Sequence, residues 1–276
     1  MLPYYPILLH SSSTQWNVDI MPKTIETLRR GLEILALVQK KGPISQAVIT
    51  RETGLSKAVV HRMLYTLQGE GFARVSLGDQ LWRGTDGPNI SPEPTSTEAL
   101  ARASVPALLR LSETVFWASD VATYTNGAMR IVEHTRRNTP FVISRIVAPR
   151  IHVLPSGLGR AIIAWATPQE RAKILAQLRK SAHLRDKVVH DKSAVERMIA
   201  KTLELGYATR DASHFGKVRR TARISEIAVP VFHKGTAIAA INLCWATSAM
   251  SENEFVQENI SFLRDAADEI SQALTD

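Results

Sequence analysis

The chain has 276 residues, 45% hydrophobic and 22% charged, and its 34 Lys and Arg against 26 Asp and Glu give a formal net charge of +8. That is an ordinary globular composition, long enough for one large domain or two smaller ones, with a basic balance that suits a polyanionic partner. The one cysteine, Cys244, excludes an internal disulfide framework and any Cys-built metal site, and it fits a reducing cytoplasm.

No apolar run approaches the length of a membrane span. The Pro-broken opening segment lacks the basic start of a secretory signal. Residues 1–20 show no helical or strand period and are expected to be disordered, or to reflect an upstream choice of start codon ahead of Met21. From Thr24 to Lys40, apolar residues at Ile25, Leu28, Leu32, Leu35 and Val38 have helical spacing, and Gly42-Pro43 stops that helix. Ser45 can cap a short second helix running to Glu52. After the turn Thr53-Gly54-Leu55, Ser56 caps a third helix with Val60, Leu64 and Leu67 on one face. Phe72–Val75 and Gln80–Arg83 read as a hairpin around Leu77-Gly78-Asp79.

Residues 84–96 are turn chemistry throughout and mark a boundary. A helix over 97–113 follows, with Pro106 inside it. Val115–Tyr124 and Ala128–His134 flank Asn126-Gly127, a hairpin signal, and Val142–Val147 reads as another strand. Ser156-Gly157-Leu158-Gly159 opens the helix 160–165. Capping boxes are expected at Thr167–Glu170, Ser193–Glu196 and Ser251–Glu254. Ile224–Phe232 and Ala237–Trp245 bracket a loop at His233-Lys234-Gly235. The last helix carries Phe255, Asn259, Phe262, Ala266 and Ile270. Hairpins interspersed with helices, without strict βαβ alternation, indicate an α+β fold with an antiparallel sheet.

Charge alone does not single out the N-terminal unit. Its first 90 residues hold 10 basic against 7 acidic side chains, whereas 130–185 hold 11 against 2 and 251–276 hold one against seven. The motif does: three short helices and a hairpin make a winged helix-turn-helix. Lys57, Ala58, His61 and Arg62 lie opposite the buried face of the third helix, where base edges would be met. Ser45 and Ser56 at helix starts suit phosphates. Arg74, Gln80 and Arg83 on the wing are expected to reach the backbone or minor groove.

The runs Thr27–Leu35 and Glu52–Leu64 resemble the DNA-binding domain of the IclR family of bacterial transcriptional regulators. The likeness continues through Leu158–Ala164, Gly206-Tyr207-Ala208, Ile227–Val231 and Ala266–Ile270, and so spans about 23–274. Trp117–Val121 and Asn242-Leu243, followed by Ser248-Ala249-Met250, look most like the branch regulating hydroxyphenylpropionate and related aromatic-acid breakdown. The expected organisation is a disordered extension (1–20), a winged helix-turn-helix DNA-binding domain (21–84), a linker and linker helix (85–113) and a last domain (114–276) that the resemblance implies is a GAF-like effector domain. The resemblance further implies a homodimer or tetramer, a double-stranded DNA operator and a small aromatic or other organic-acid effector, with no cofactor or metal.

A buried ligand acid needs donors. Backbone N–H groups at Ser156 and Gly157, opening a helix, suit an anion, and Arg150 suits a charge-assisted pair. Trp117, Val153 and Ile162 are candidate apolar walls. Ser119 and Asp120 face alternate sides of their strand, so only one can join them. Glu226 stands where the family often has Cys or a small residue; an acid there would repel a carboxylate or pair with Arg150 or Arg223. Two other readings compete. A hydrolase triad of Ser156, His152 and Asp120 lacks the G-x-S-x-G elbow, because Leu154 stands where the first Gly belongs. A repressor working through oligomer contacts alone would have a filled C-terminal core.

Overall fold

The computed structural model describes residues 24–85, 87, 96–136, 151–181, 184–211 and 224–275. The expected extension over 1–20, the strand expected over Val142–Val147, and Arg150 and Arg223 lie outside them.

The N-terminal unit is built as the punctuation requires. Helix α1 (Glu26–Lys41) ends at Gly42. Helix α2 (Gln46–Thr53) begins at Ser45, whose hydroxyl accepts from the Val48 N–H, and ends at Gly54 in the left-handed region. Helix α3 (Lys57–Gly69) begins at Ser56, whose hydroxyl accepts from the Val59 N–H. Strands β1 (Ala73–Val75) and β2 (Trp82–Gly84) form the wing. The core joins Ile34, Val38, Ile49, Val60, Leu64 and Trp82. The expected stripe on α1 holds only towards its C-terminal end: Ile25, Leu28 and Leu32 are exposed, whereas Val38 is buried as expected, with Ile34 in place of the others. Both sets have helical spacing, and contact with α2, α3 and β2 selects the second.

Helix α4 (Thr97–Thr114), capped by Ser96 and carrying Pro106 within it, leads into β3 (Ala118–Thr125) and β4 (Ala128–His134). Helix α5 (Gly157–Trp165), α6 (Pro168–Arg179), a 3-10 turn over Leu184–His190, and α7 (Lys192–Leu205) follow. Strands β5 (Ala208–Thr209), β6 (Ile224–His233) and β7 (Thr236–Ala246) precede α8 (Glu252–Ala273). The strands form one five-stranded antiparallel sheet in the order β4-β3-β7-β6-β5.

Capping boxes close α6 at Thr167 and α8 at Ser251. The one expected at Ser193 is displaced: Asp191 accepts from the Ala194 N–H and starts α7. An Asp accepts from the N–H three residues on as well as a Ser does, and it came two residues earlier. On α8, Phe255, Asn259, Ala266 and Ile270 are buried as expected, but Leu263 is fully buried in place of its neighbour Phe262, which is 41% exposed.

The sheet separates two cores. Val121, Ile227, Val229, Ile241, Leu243 and Trp245 face α4 and α8. Ala122, Ala228 and Ala240 face α5. Small alanines let α5 approach the sheet closely, and the N-terminus of α5 thereby lies against β6 and β7.

Candidate nucleic-acid interface and effector site

On α3, Val60 and Leu64 are buried, while Lys57, Ala58, His61 and Arg62 are exposed on the opposite face. Positions three and four apart share a helix face, so Lys57 with His61, and Ala58 with His61 and Arg62, adjoin in one continuous patch. Among the described residues no carboxylate pairs with Lys57 or Arg62. Gln46 of α2 fastens the patch: its amide donates to the Lys57 carbonyl at 3.1 Å, and its oxygen lies 3.3 Å from His61 Nδ1. The His61 ring stands 4.5 Å from that of Tyr65. Ser45 and Ser56 both use their hydroxyls as helix caps.

The wing departs from the expected arrangement. Arg74 points to α4, where its Nε donates to both oxygens of Glu98 at 2.8 and 3.0 Å. Arg83 closes back on Asp79 of its own hairpin, at 2.5 and 3.0 Å. Gln80 donates to the Leu77 carbonyl at 3.0 Å. Both arginines are half-buried with their charge compensated inside the protein. The sequence could not show this, because the Arg74 partner lies 24 residues on.

The effector candidates divide between the two faces of the sheet. Alternation along β3 puts Asp120 on the α5 face with Asn242 opposite it, and Ser119 on the other face opposite Leu243. Trp117 packs edge-on against Phe255 of α8, centroids 5.7 Å apart, so Trp117 and Ser119 do not meet α5. Val153 and Ile162 are buried in the core beneath it. The Ser156 hydroxyl accepts from the Gly159 N–H at 3.0 Å and donates to the Val153 carbonyl at 3.2 Å. That is a helix cap, and it leaves the hydroxyl proton on a carbonyl rather than on an imidazole.

What the α5 face holds instead is a buried ionic cluster. The carboxylate of Glu226 accepts from the Gly157 N–H with one oxygen and from the Asn242 amide, at 2.8 Å, with the other. Arg210 lies 3.2 Å from that second oxygen. A Cβ on residue 157 would stand 3.0 Å from Glu226 Cγ, so glycine is what allows the approach. Asp120 makes a bidentate pair with Arg136 at 2.6 and 2.7 Å, and its own N–H donates to the side-chain Oδ1 of Asn242 at 2.8 Å. Burial lowers the Arg136 pKa, but the charge and hydrogen bonds of Asp120 outweigh it, and the net shift is upward. Burial, with Glu226 and Asp120 nearby, pushes the Cys244 thiol up, so it stays protonated.

Two carboxylates are thus neutralised by two guanidiniums around one central amide. Arg136, Arg210 and Asn242 went unrecognised as members of the cluster. Asn242 had a signal: a lone amide within Ala239-Ala240-Ile241-Asn242-Leu243, on a strand buried on both faces, demands a partner. The arginines had none, since each meets its carboxylate only through tertiary structure.

The helix-turn-helix domain model of the IclR family matches residues 27–76, and the C-terminal model described as bacterial transcriptional regulator IclR matches 95–272. The chain is 24% identical over 255 residues to the HTH-type transcriptional regulator BhcR of Paracoccus denitrificans, covering 91% of this chain and 86% of that one. An IclR homolog from Microbacterium sp. strain HM58-2 is similar in structure with a TM-score of 0.52 and 20% identity, covering 90% of this chain and 97% of that one. An IclR homolog of Microbacterium hydrocarbonoxydans complexed with 4-hydroxybenzoate gives 0.50 and 21%, covering 90% and 98%. The two family matches cover the helix-turn-helix and most of the α+β part that follows it, and the chain belongs to the IclR family of DNA-binding bacterial transcriptional regulators.

Proposed function

We propose that this regulator reads operator DNA with the exposed face of α3 and answers to a small organic acid, most simply an aromatic one, bound on the α5 face of the sheet. The observation that carries the effector reading is the buried Glu226 carboxylate at the N-terminus of α5. Ionised oxygens are costly to bury unless donors are aimed at them, and here a backbone N–H, an amide and a guanidinium converge on one. The site is built to hold a carboxylate, and in this state the protein supplies its own. An effector acid would compete with Glu226 for those donors. The homolog complexed with 4-hydroxybenzoate supports the aromatic class.

A single winged helix reads few base pairs, so specificity calls for a homodimer, or a dimer of dimers, on an inverted repeat. The effector acts by binding one arrangement of the winged helices better than another. The protein's role is regulatory and cytoplasmic rather than enzymatic: the Ser156 hydroxyl is spent on a cap and Asp120 on Arg136.

On the DNA side, Lys57→Ala and Arg62→Ala are each expected to weaken binding to duplex DNA. If the residue contacts a phosphate, the slope of log Kobs against log salt falls by about one; if it makes a bidentate contact to guanine, the loss is about 1–3 kcal/mol and confined to the specific site. Fluorescence anisotropy at several salt concentrations separates the two. Unchanged binding in both variants would remove α3 as the reading element.

A further inference from the structure

The wing of this protein is fastened to the C-terminal sheet. Glu133 on β4 is buried, and its Oε1 accepts from the Ser76 hydroxyl at 2.9 Å and from the Gly78 N–H at 3.0 Å, both in the wing. Gly78 lies so close over His134 that a Cβ there would stand 2.3 Å from the imidazole Nε2. Arg74 adds a third tie through Glu98 on α4, with its Nη1 3.8 Å from Glu133 Oε2. Within the hairpin, Asp79 accepts from the Leu81 N–H and holds Arg83, which keeps the turn rigid. The turn of the wing is therefore directed into the protein, with both of its arginines compensated there.

We infer that the wing is a strut rather than a groove-reading arm: it joins the recognition helix to the effector sheet, with Glu133 as the positioning residue, and DNA is met by α2 and α3 without it. The proposal rests on the DNA-binding reading above and adds to it. The placement also gives the strut something to report. Glu133 stands opposite Val121 and points to the α4 and α8 side. Three residues later Arg136 grips Asp120 in the cluster on the α5 side. Between them, Thr135 exchanges hydrogen bonds with Ser119, its N–H donating to the Ser119 carbonyl and its hydroxyl accepting from the Ser119 N–H. The segment 133–136 thus carries the wing anchor at one end and a member of the ionic cluster at the other. A rearrangement of Asp120 and Arg136 reaches the winged helix through one short, well-tied stretch of backbone.

The test uses the full chain and random-sequence duplex DNA at low salt, where phosphate contacts set the salt slope. Arg74→Ala and Arg83→Ala should leave that slope unchanged, while Lys57→Ala or Arg62→Ala lowers it by about one wherever the residue contacts a phosphate. A fall of about one in either wing variant would overturn the strut alone. No effect in any of the four on random-sequence DNA, together with unchanged affinity of Lys57→Ala and Arg62→Ala for the specific site, would overturn the DNA-reading assignment instead. Hydrogen exchange reads the anchor directly: Glu133→Gln should speed exchange at the Gly78 amide by about tenfold or more while α3 amides keep their protection. Ser76→Ala, a milder change, should raise it less. Exchange at Gly78 that is already fast in the parent protein, or unmoved in both variants, would show that the wing is not held there.

Discussion

Glu226→Ala is expected to destabilise the C-terminal unit by about 3 kcal/mol and to convert it into a receptor for added small carboxylates. The loss follows from what the carboxylate satisfies. Removing it takes from Arg210, the Asn242 amide and the Gly157 N–H the carboxylate that they share in a buried site. Breaking one side of a buried pair costs more than the pair contributes when intact. The vacancy has the shape and donor set of a carboxylate, so acetate should fill it. Saturating ligand stabilises in proportion to RT ln(1 + [L]/Kd), about 2.7 kcal/mol at a hundredfold excess over Kd. Thermal unfolding of parent and variant in sodium acetate against sodium chloride of equal ionic strength measures it. Acetate should raise the Tm of the variant and barely move the parent. Equal shifts in both would mean that the end of α5 does not select carboxylates, and the effector reading would lose its main support.

A comparable loss, about 3 kcal/mol, is expected for Gly159→Ala, from a different cause. A Cβ there would stand 2.1 Å from the Val153 carbonyl oxygen and 2.5 Å from the Val153 Cα. Both are backbone atoms of a turn that the Ser156 cap and the Asp211 N–H to Pro155 carbonyl hydrogen bond, at 2.9 Å, already hold in place. No rotamer change relieves such a contact, so the turn or the helix must move, and with it the Gly157 N–H. Gly31→Ala is the control. Nothing lies within 4 Å of its Cβ position in the middle of α1, so it should gain roughly 0.5–1 kcal/mol from the reduced entropy of the unfolded chain. Urea unfolding of the two variants resolves opposite signs without ambiguity. A loss below about 1 kcal/mol for Gly159→Ala would show that the start of α5 is looser than its packing indicates.

Local signals in the sequence carried much of the fold. Caps at Ser45, Ser56, Thr167 and Ser251, and the left-handed glycines 54, 127 and 206, stand where their chemistry puts them. Failures came where two local solutions were equivalent. Leu28-Leu32 and Ile34-Val38 are both helical stripes, as are those through Phe262 and Leu263, and only the neighbouring elements choose between them. The site was less legible, for the same reason on a larger scale. Glu226 stood out as a departure from the family's usual Cys or small residue, but its donor Gly157 is 69 residues away. Arg74 read as a DNA contact because its partner Glu98 lies 24 residues on, whereas the partner of Arg83, Asp79, stood four residues back in its own hairpin and was overlooked. Strand parity settled what sequence had left open between Ser119 and Asp120: the cross-strand neighbours put Asp120 with the cluster and Ser119 with the opposite core.

The most direct test of the whole account is anisotropy of labelled DNA from upstream of the protein's own gene, titrated with protein in the presence and absence of 4-hydroxybenzoate and related aromatic acids. The account predicts saturable, competitor-resistant binding with steep salt dependence, and an apparent affinity that at least one acid shifts while the corresponding neutral amide does not. Specific binding that no acid in the panel perturbs would contradict the acid-responsive site on the α5 face.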